Sequence, residues 1–234
     1  MMYRPSGFSF LPPVVKNLLI INGLAFFASI VFGRMGIDVL GRFGLYLPVS
    51  DLFKPFQLVT HLFLHDTSNL GHIFGNMFAL WMFGTPLENR WGSQRFLTYY
   101  FATGLGAAAL HLGVNYWEYV QASNWHALTG SGEALYLMQS LAMTPTVGAS
   151  GAVFGLLLGF GMMYPNQQIY IYFLLPIKAK YFVAIYGLFE LFNGIDNFGE
   201  IANFGSSIAH FAHVGGMLFG YLLIRRWQSS RTRF

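Results

Sequence analysis

Apolar stretches of near-spanning length, separated by short polar ones, run through the whole chain. Residues 14–32 form the first, and five more follow at about 69–83, 96–116, 150–164, 180–192 and 207–224. A helix rising 1.5 Å per residue needs about 20 residues to cross ~30 Å of hydrocarbon, so the pattern predicts six transmembrane helices. The fourth, with roughly 15 residues, is too short to cross, and one of its ends must lie below the membrane surface. Residues 33–60 mix glycine, proline, charge and isolated large apolar side chains, which predicts an interfacial loop. Residues 117–148 contain no Lys or Arg and read as a second loop, on the far side. A glycine- and asparagine-rich loop is expected over 193–206. Pro165-Asn166 breaks the chain before an aromatic segment at 169–176, and Asp66, Thr67 and Ser68 are capping candidates for the second helix. A signal peptide would have a shorter apolar core and a small-residue cleavage site, so residues 14–32 are expected to be retained.

Composition supports the membrane reading. Of 234 residues, 55% are hydrophobic and 9% charged, against roughly 25% charged in soluble domains. The expectation is one all-α polytopic domain: residues 1–13 as a short cytoplasmic N-terminus, 14–224 as the six-helix membrane domain and 225–234 as a basic cytoplasmic tail. Net charge is +4, but the basic residues are scattered and form no patch that could track phosphates, which excludes a nucleic-acid partner. Instead they set orientation. With the N-terminus inside, the inner segments hold Arg4, Lys16, Arg90, Arg95, Lys178, Lys180, Arg225, Arg226, Arg231 and Arg233, while the outer loops hold only Arg34, Arg42 and Lys54. Both termini are therefore expected on the cytoplasmic face. Cysteine is absent, which removes disulfides, thiolate nucleophiles and Cys-based metal sites. No internal repeat supports a transporter built from duplicated halves.

Polar groups inside spans are costly unless something uses them. Four stand out: His72 and Asn76 on the second helix, Ser150 at the start of the fourth and His213 on the sixth. The topology brings all three helices to the outer side at those points. His72 and Asn76, four apart, share a helix face. Ser150, as a first helical residue, gains a free backbone N–H and a partly positive terminus, both suited to an oxyanion. Gly151, Gly155 and Gly159, and likewise Gly216 and Gly220, recur every four residues, and such small faces let helices approach closely.

These residues resemble the motifs of the rhomboid intramembrane serine proteases. Gly148-Ala149-Ser150-Gly151 is similar to that family's Gly-x-Ser-Gly, Ala212-His213 followed by Gly216 and Gly220 to its final-helix motif, and His72-x-x-x-Asn76 to its oxyanion pair. Thr60, Phe63, His65 and Glu88 also fall where the family has its loop-anchoring and cytoplasmic polar residues, and the resemblance covers roughly residues 55–220. It implies a Ser–His dyad without an acid. Ser150 would be the nucleophile and His213 the general base. His72, Asn76 and the Ser150 N–H would hold the oxyanion, and Phe154 would lie beneath the imidazole. Residues 193–206 would be a cap and the fifth helix a lateral gate. Substrates would be single-pass membrane proteins cut near the outer boundary of the lipid bilayer, with no cofactor. The core-only chain suggests a bacterial cell membrane. Three positions depart from the family: Phe56-Gln57 replaces a Trp-Arg pair, six residues rather than four separate His65 from His72, which predicts a looser or bulged start to the second helix, and Phe154 replaces the commoner Tyr.

The rival readings are weaker. His61 and His65, or His210 and His213, could suggest a metal, but no His-Glu-x-x-His helix accompanies them. Asp196 or Glu200 could complete a triad with His213. A catalytically silent relative that binds membrane proteins usually lacks the Ser or the His, and both are present.

Overall fold

The computed structural model describes residues 8–171, 174–196 and 206–231. Each of the six apolar stretches falls on a helix: α1 (Pro13–Arg34), α4 (Leu70–Trp91), α5 (Ser93–Thr129), α7 (Ser150–Met163), α8 (Ala179–Asp196) and α9 (Ser206–Arg231). Short helices α2 (Val39–Phe43) and α3 (Gln57–Thr60), followed by a 3-10 turn at His61–Phe63, lie within the expected interfacial loop, and α6 (Gly132–Met143) precedes the site. Among the described residues only α1 is both long and apolar enough to cross a membrane by itself. α7 is shorter, and α4, α5 and α8 carry buried polar groups such as Asn76, Glu88, His111, Glu118 and Glu190.

Several boundaries differ from the sequence reading. α4 continues past Phe83, through Pro86, to Trp91, because Phe83, Leu87 and Glu88 are all buried. Asp66, Thr67 and Ser68 do not cap it. The two extra residues form a turn, with the Asp66 carboxylate accepting from the Ser68 N–H (2.9 Å) and hydroxyl (2.7 Å), so of the two expectations the chain enters α4 through a bulged turn. The expected far-side loop at 117–148 is mostly helix. No glycine or proline interrupts residues 114–129, Asn115, Glu118 and Ala122 are buried, and α6 packs on α5. α5 ends where Gly130 takes φ +67°, and Ser131 then caps α6. The aromatic segment after Pro165 is a hairpin, β1 (Gln168–Ile171) antiparallel to β2 (Leu175–Lys178), with Ile169 opposite Ile177. The basic tail is helical through Arg231. The expected cap is helical to Asp196, and the rest of it, 197–205 with Glu200, lies outside the described residues, as do Arg4 and Arg233.

α7 is the core, with α4, α5, α8 and α9 packed around it. Its glycine stripe faces α5 rather than α9. A Cβ at Gly151 would meet Ala107, one at Gly155 would meet Thr103, and one at Gly159 would meet the Tyr99 hydroxyl. These three α5 residues are themselves four apart, so the helices run past each other in register. The Tyr99 hydroxyl donates to the Gly155 carbonyl at 2.8 Å. α9 closes on the same junction through Gly216, whose Cα lies against the Gly151 carbonyl.

α1 begins with proline at its first position and has no side-chain cap of its own. Glu88, 3% exposed, serves instead: its carboxylate accepts the Val14 and Val15 N–H groups at 3.0 and 2.8 Å and the Ser93 hydroxyl at 2.6 Å. Glu88→Ala is expected to lower unfolding free energy by about 3 kcal/mol, since buried donors then lose a charged acceptor. Thermal unfolding of the purified chain would measure it.

The replaced Trp-Arg pair has a local substitute. Gln57 is buried, donates to the Leu52 carbonyl (3.0 Å) and the Arg42 carbonyl (3.3 Å), and accepts from the Lys54 N–H at 3.0 Å. Phe56 stays exposed and packs on Phe43.

Candidate active site

The segment before α7 is held on both sides. Leu45 and Thr146 exchange backbone hydrogen bonds of 2.9 and 2.8 Å, and the Gly148 N–H donates to the His61 carbonyl at 3.0 Å. Gly148 sits at φ +132°, a conformation side chains rarely allow. A Cβ there would approach His72 Nε2 to 3.0 Å, so glycine keeps the space in front of that ring nitrogen open. Val153 is the first α7 residue to bond back, to the Ala149 carbonyl at 3.0 Å. The amides of Ser150, Gly151 and Ala152 thus precede the first helical bond and carry the positive end of the helix dipole.

His213 meets this terminus from α9. Its imidazole lies flat on Phe154, ring centres 3.9 Å apart and planes 8° from parallel, and Phe154 is one turn after Ser150. A Cβ on Gly151 would lie 3.5 Å from the Ala212 carbonyl, so α9 faces the start of α7 beside Ser150 and His213. Ser150, His213, His72 and Asn76 line one cavity of about 820 Å³. These are the four polar residues that the sequence singles out within its spans.

His72 has a defined role for each nitrogen. The Asp66 N–H donates to its Nδ1 at 3.3 Å, which puts the ring proton on Nε2, toward Gly148. Asn76 uses one amide hydrogen on the His72 carbonyl at 2.9 Å and keeps the second. His65 packs edge-on against His72, ring centres 5.1 Å apart. Burial, reinforced by the nearby His72, pushes the His65 imidazole down to about 4. Burial also pushes His61 down to about 4, outweighing its hydrogen bond to the Gln57 carbonyl. Both rings are uncharged at neutral pH, so neither adds positive charge beside the donors of His72.

The residue that sequence reasoning missed is Glu190. It lies on α8, 3% exposed, and its Oε2 is 2.8 Å from His213 Nδ1 and 2.6 Å from His210 Nδ1. An acid does therefore stand beside His213, and it is Glu190 rather than Asp196. The available signal was a lone carboxylate within an apolar helix, which is expensive unless paired. Glu190, His210 and His213 are also the one group among the described residues whose ligand atoms could surround a metal, all within 4.8 Å of one another.

A family model described as a rhomboid domain matches residues 53–227. The chain is 28% identical over 221 residues to RHOMBOID-like protein 12, mitochondrial, of Arabidopsis thaliana, covering 94% of this chain and 60% of that protein. It is 28% identical over 163 residues to Rhomboid protease AarA of Providencia stuartii, covering 67% of this chain and 50% of that protein. Over 151 residues it is 28% identical to Rhomboid protein 1, mitochondrial, of Saccharomyces cerevisiae, covering 64% and 36%. The chain thus spans 60% or less of the length of these relatives. A match across most of the bundle, on a helical architecture with the expected residues around one cavity, makes this chain a member of the rhomboid family of integral membrane proteins.

Proposed function

We propose that the chain is an intramembrane serine endopeptidase that cuts single-pass membrane proteins near the outer boundary of the bilayer. The observation that carries this reading is the convergence of Ser150, at a helix start, with an imidazole held between Phe154 and Glu190. Ser150 Oγ attacks the substrate carbonyl as its proton passes to His213 Nε2. Glu190 accepts the Nδ1–H and thereby keeps Nε2 free as the base. His72 Nε2–H, the second Asn76 amide hydrogen and the Ser150 N–H receive the oxyanion, each such donor lowering the barrier by about 3 kcal/mol. The protonated imidazole then gives its proton to the leaving amine, and water releases the acyl group by the same steps.

Membrane placement supports this chemistry. In this reading α1, α4, α5, α7, α8 and α9 span, with both ends on the cytoplasmic side of a bacterial cell membrane. α7, at 14 residues, extends only about 21 Å, so its Ser150 end lies in a hollow reached by water from outside. Outward-facing Leu24, Phe27, Phe74, Ile185 and Phe192 suit a lipid boundary. α8 would act as the lateral gate. The substrate helix must unwind locally, because its peptide bonds are otherwise shielded by their own hydrogen bonds.

The test is labelling of the detergent-purified chain by a fluorophosphonate probe. Labelling is expected in the unsubstituted chain and absent in Ser150→Ala, whereas label retained by Ser150→Ala would move the nucleophile elsewhere. Asn76→Ala is expected to reduce turnover of a membrane-helix substrate more than about tenfold; full activity would restrict Asn76 to packing.

A further inference from the structure

The Glu190 carboxylate is shared in a way that the proteolytic reading does not use. One oxygen serves two imidazoles, from His210 and His213, on successive turns of α9. The carboxylate side chain is 4% exposed, while the two rings are 21% and 16% exposed. A base needs one acid; His210 has no part in the proposed reaction. We propose that Glu190, His210 and His213 form a site for a zinc-type divalent transition metal, and that its occupation switches off His213.

The donor set fits such an ion. Two imidazole nitrogens and a carboxylate oxygen suit zinc or its neighbours, not the all-oxygen preference of calcium or magnesium. Ligand bonds of 2.0–2.2 Å place donors on one tetrahedral ion about 3.4 Å apart. The present 2.6 and 2.8 Å separations are hydrogen-bond lengths, so the carboxylate would draw back by roughly 0.6–0.8 Å to admit the ion. Nothing covalent is needed for this. The partly exposed rings leave a fourth position for water.

The consequence for His213 follows from its two nitrogens. While Nδ1–H donates to Glu190, Nε2 holds a lone pair. A metal on Nδ1 requires that nitrogen's lone pair, so the ring's single proton moves to Nε2. No proton is gained or lost overall, but the atom that should receive the Ser150 proton is already protonated. The binding half of this proposal stands on three side chains alone. The switching half rests on the reading of His213 as the base for Ser150.

Zinc titration of the purified full chain tests both halves. Ser150→Ala is expected to bind one zinc per chain, and His210→Gln, which keeps a donor for Glu190, to bind at least about tenfold more weakly. Zinc is expected to suppress fluorophosphonate labelling of the unsubstituted chain at least tenfold, a chelator to restore it, and magnesium to leave it unchanged. His210→Gln should label normally without zinc and need at least tenfold more zinc for inhibition. Absence of stoichiometric binding to Ser150→Ala, or equal zinc sensitivity in His210→Gln, overturns the site. A chain that fails to label without zinc overturns the reading of Ser150 instead, and the binding titration still decides the metal site.

Discussion

His213→Ala is expected to reduce turnover of a membrane-helix substrate roughly 1,000-fold, with little change in KM. The ring is doubly constrained: Phe154 fixes its plane and Glu190 its rotation about that plane. Removing it leaves Ser150 with no acceptor for its proton and the amine with no donor, while the oxyanion donors on α4 and α7 are untouched. Residual activity should therefore remain above that of water. Glu190→Gln separates orientation from proton transfer. The amide can still accept the Nδ1–H, but the imidazolium that forms in the transition state loses the charge opposite it, so kcat should fall about 10- to 100-fold at unchanged KM. Progress curves with a labelled substrate would give both constants. Wild-type kcat in His213→Ala would remove the ring from the reaction altogether.

What was legible in the sequence was what local spacing specifies. Ser150 and Gly151 at a helix start, and His213 three residues before Gly216, are short-range patterns, and the fold brings them to one cavity. Glu190 was not legible by that route, because its partner His213 is 23 residues away on another helix. The attention given to Asp196 and Glu200 followed loop position, whereas the carboxylate that meets the imidazole is on a buried helix face. Helix ends were misjudged for a related reason. Pro86 and the polar run after Tyr116 argue locally for a break, yet buried Leu87 and Glu88 hold α4, and Glu118 and Ala122 hold α5, through packing that only the assembled bundle supplies. The Gly151-Gly155-Gly159 stripe announced a close helix approach but not which helix, and α5 takes it because Ala107, Thr103 and Tyr99 match it step for step.

Gly216→Ala is expected to cost about 4 kcal/mol or more of stability and most of the probe labelling with it. A methyl on Gly216 would fall on the Gly151 carbonyl, which is backbone in the first turn of α7 and cannot rotate aside as a side chain could. To admit it, α9 must withdraw from α7, and withdrawal separates the two elements that carry Ser150 and His213. Stability and chemistry should therefore fail together. Gly23→Ala supplies the matching control, since a Cβ there meets nothing within 4 Å and alanine is the better helix former by about 1 kcal/mol. Thermal unfolding and fluorophosphonate labelling of both variants would check this, with Gly23→Ala expected to match or exceed the unsubstituted chain in stability and to label equally. If Gly216→Ala instead unfolds at the unsubstituted temperature and labels at the same rate, the α7–α9 contact is not as close as described, and the route by which α9 brings His213 to Ser150 has to be redrawn.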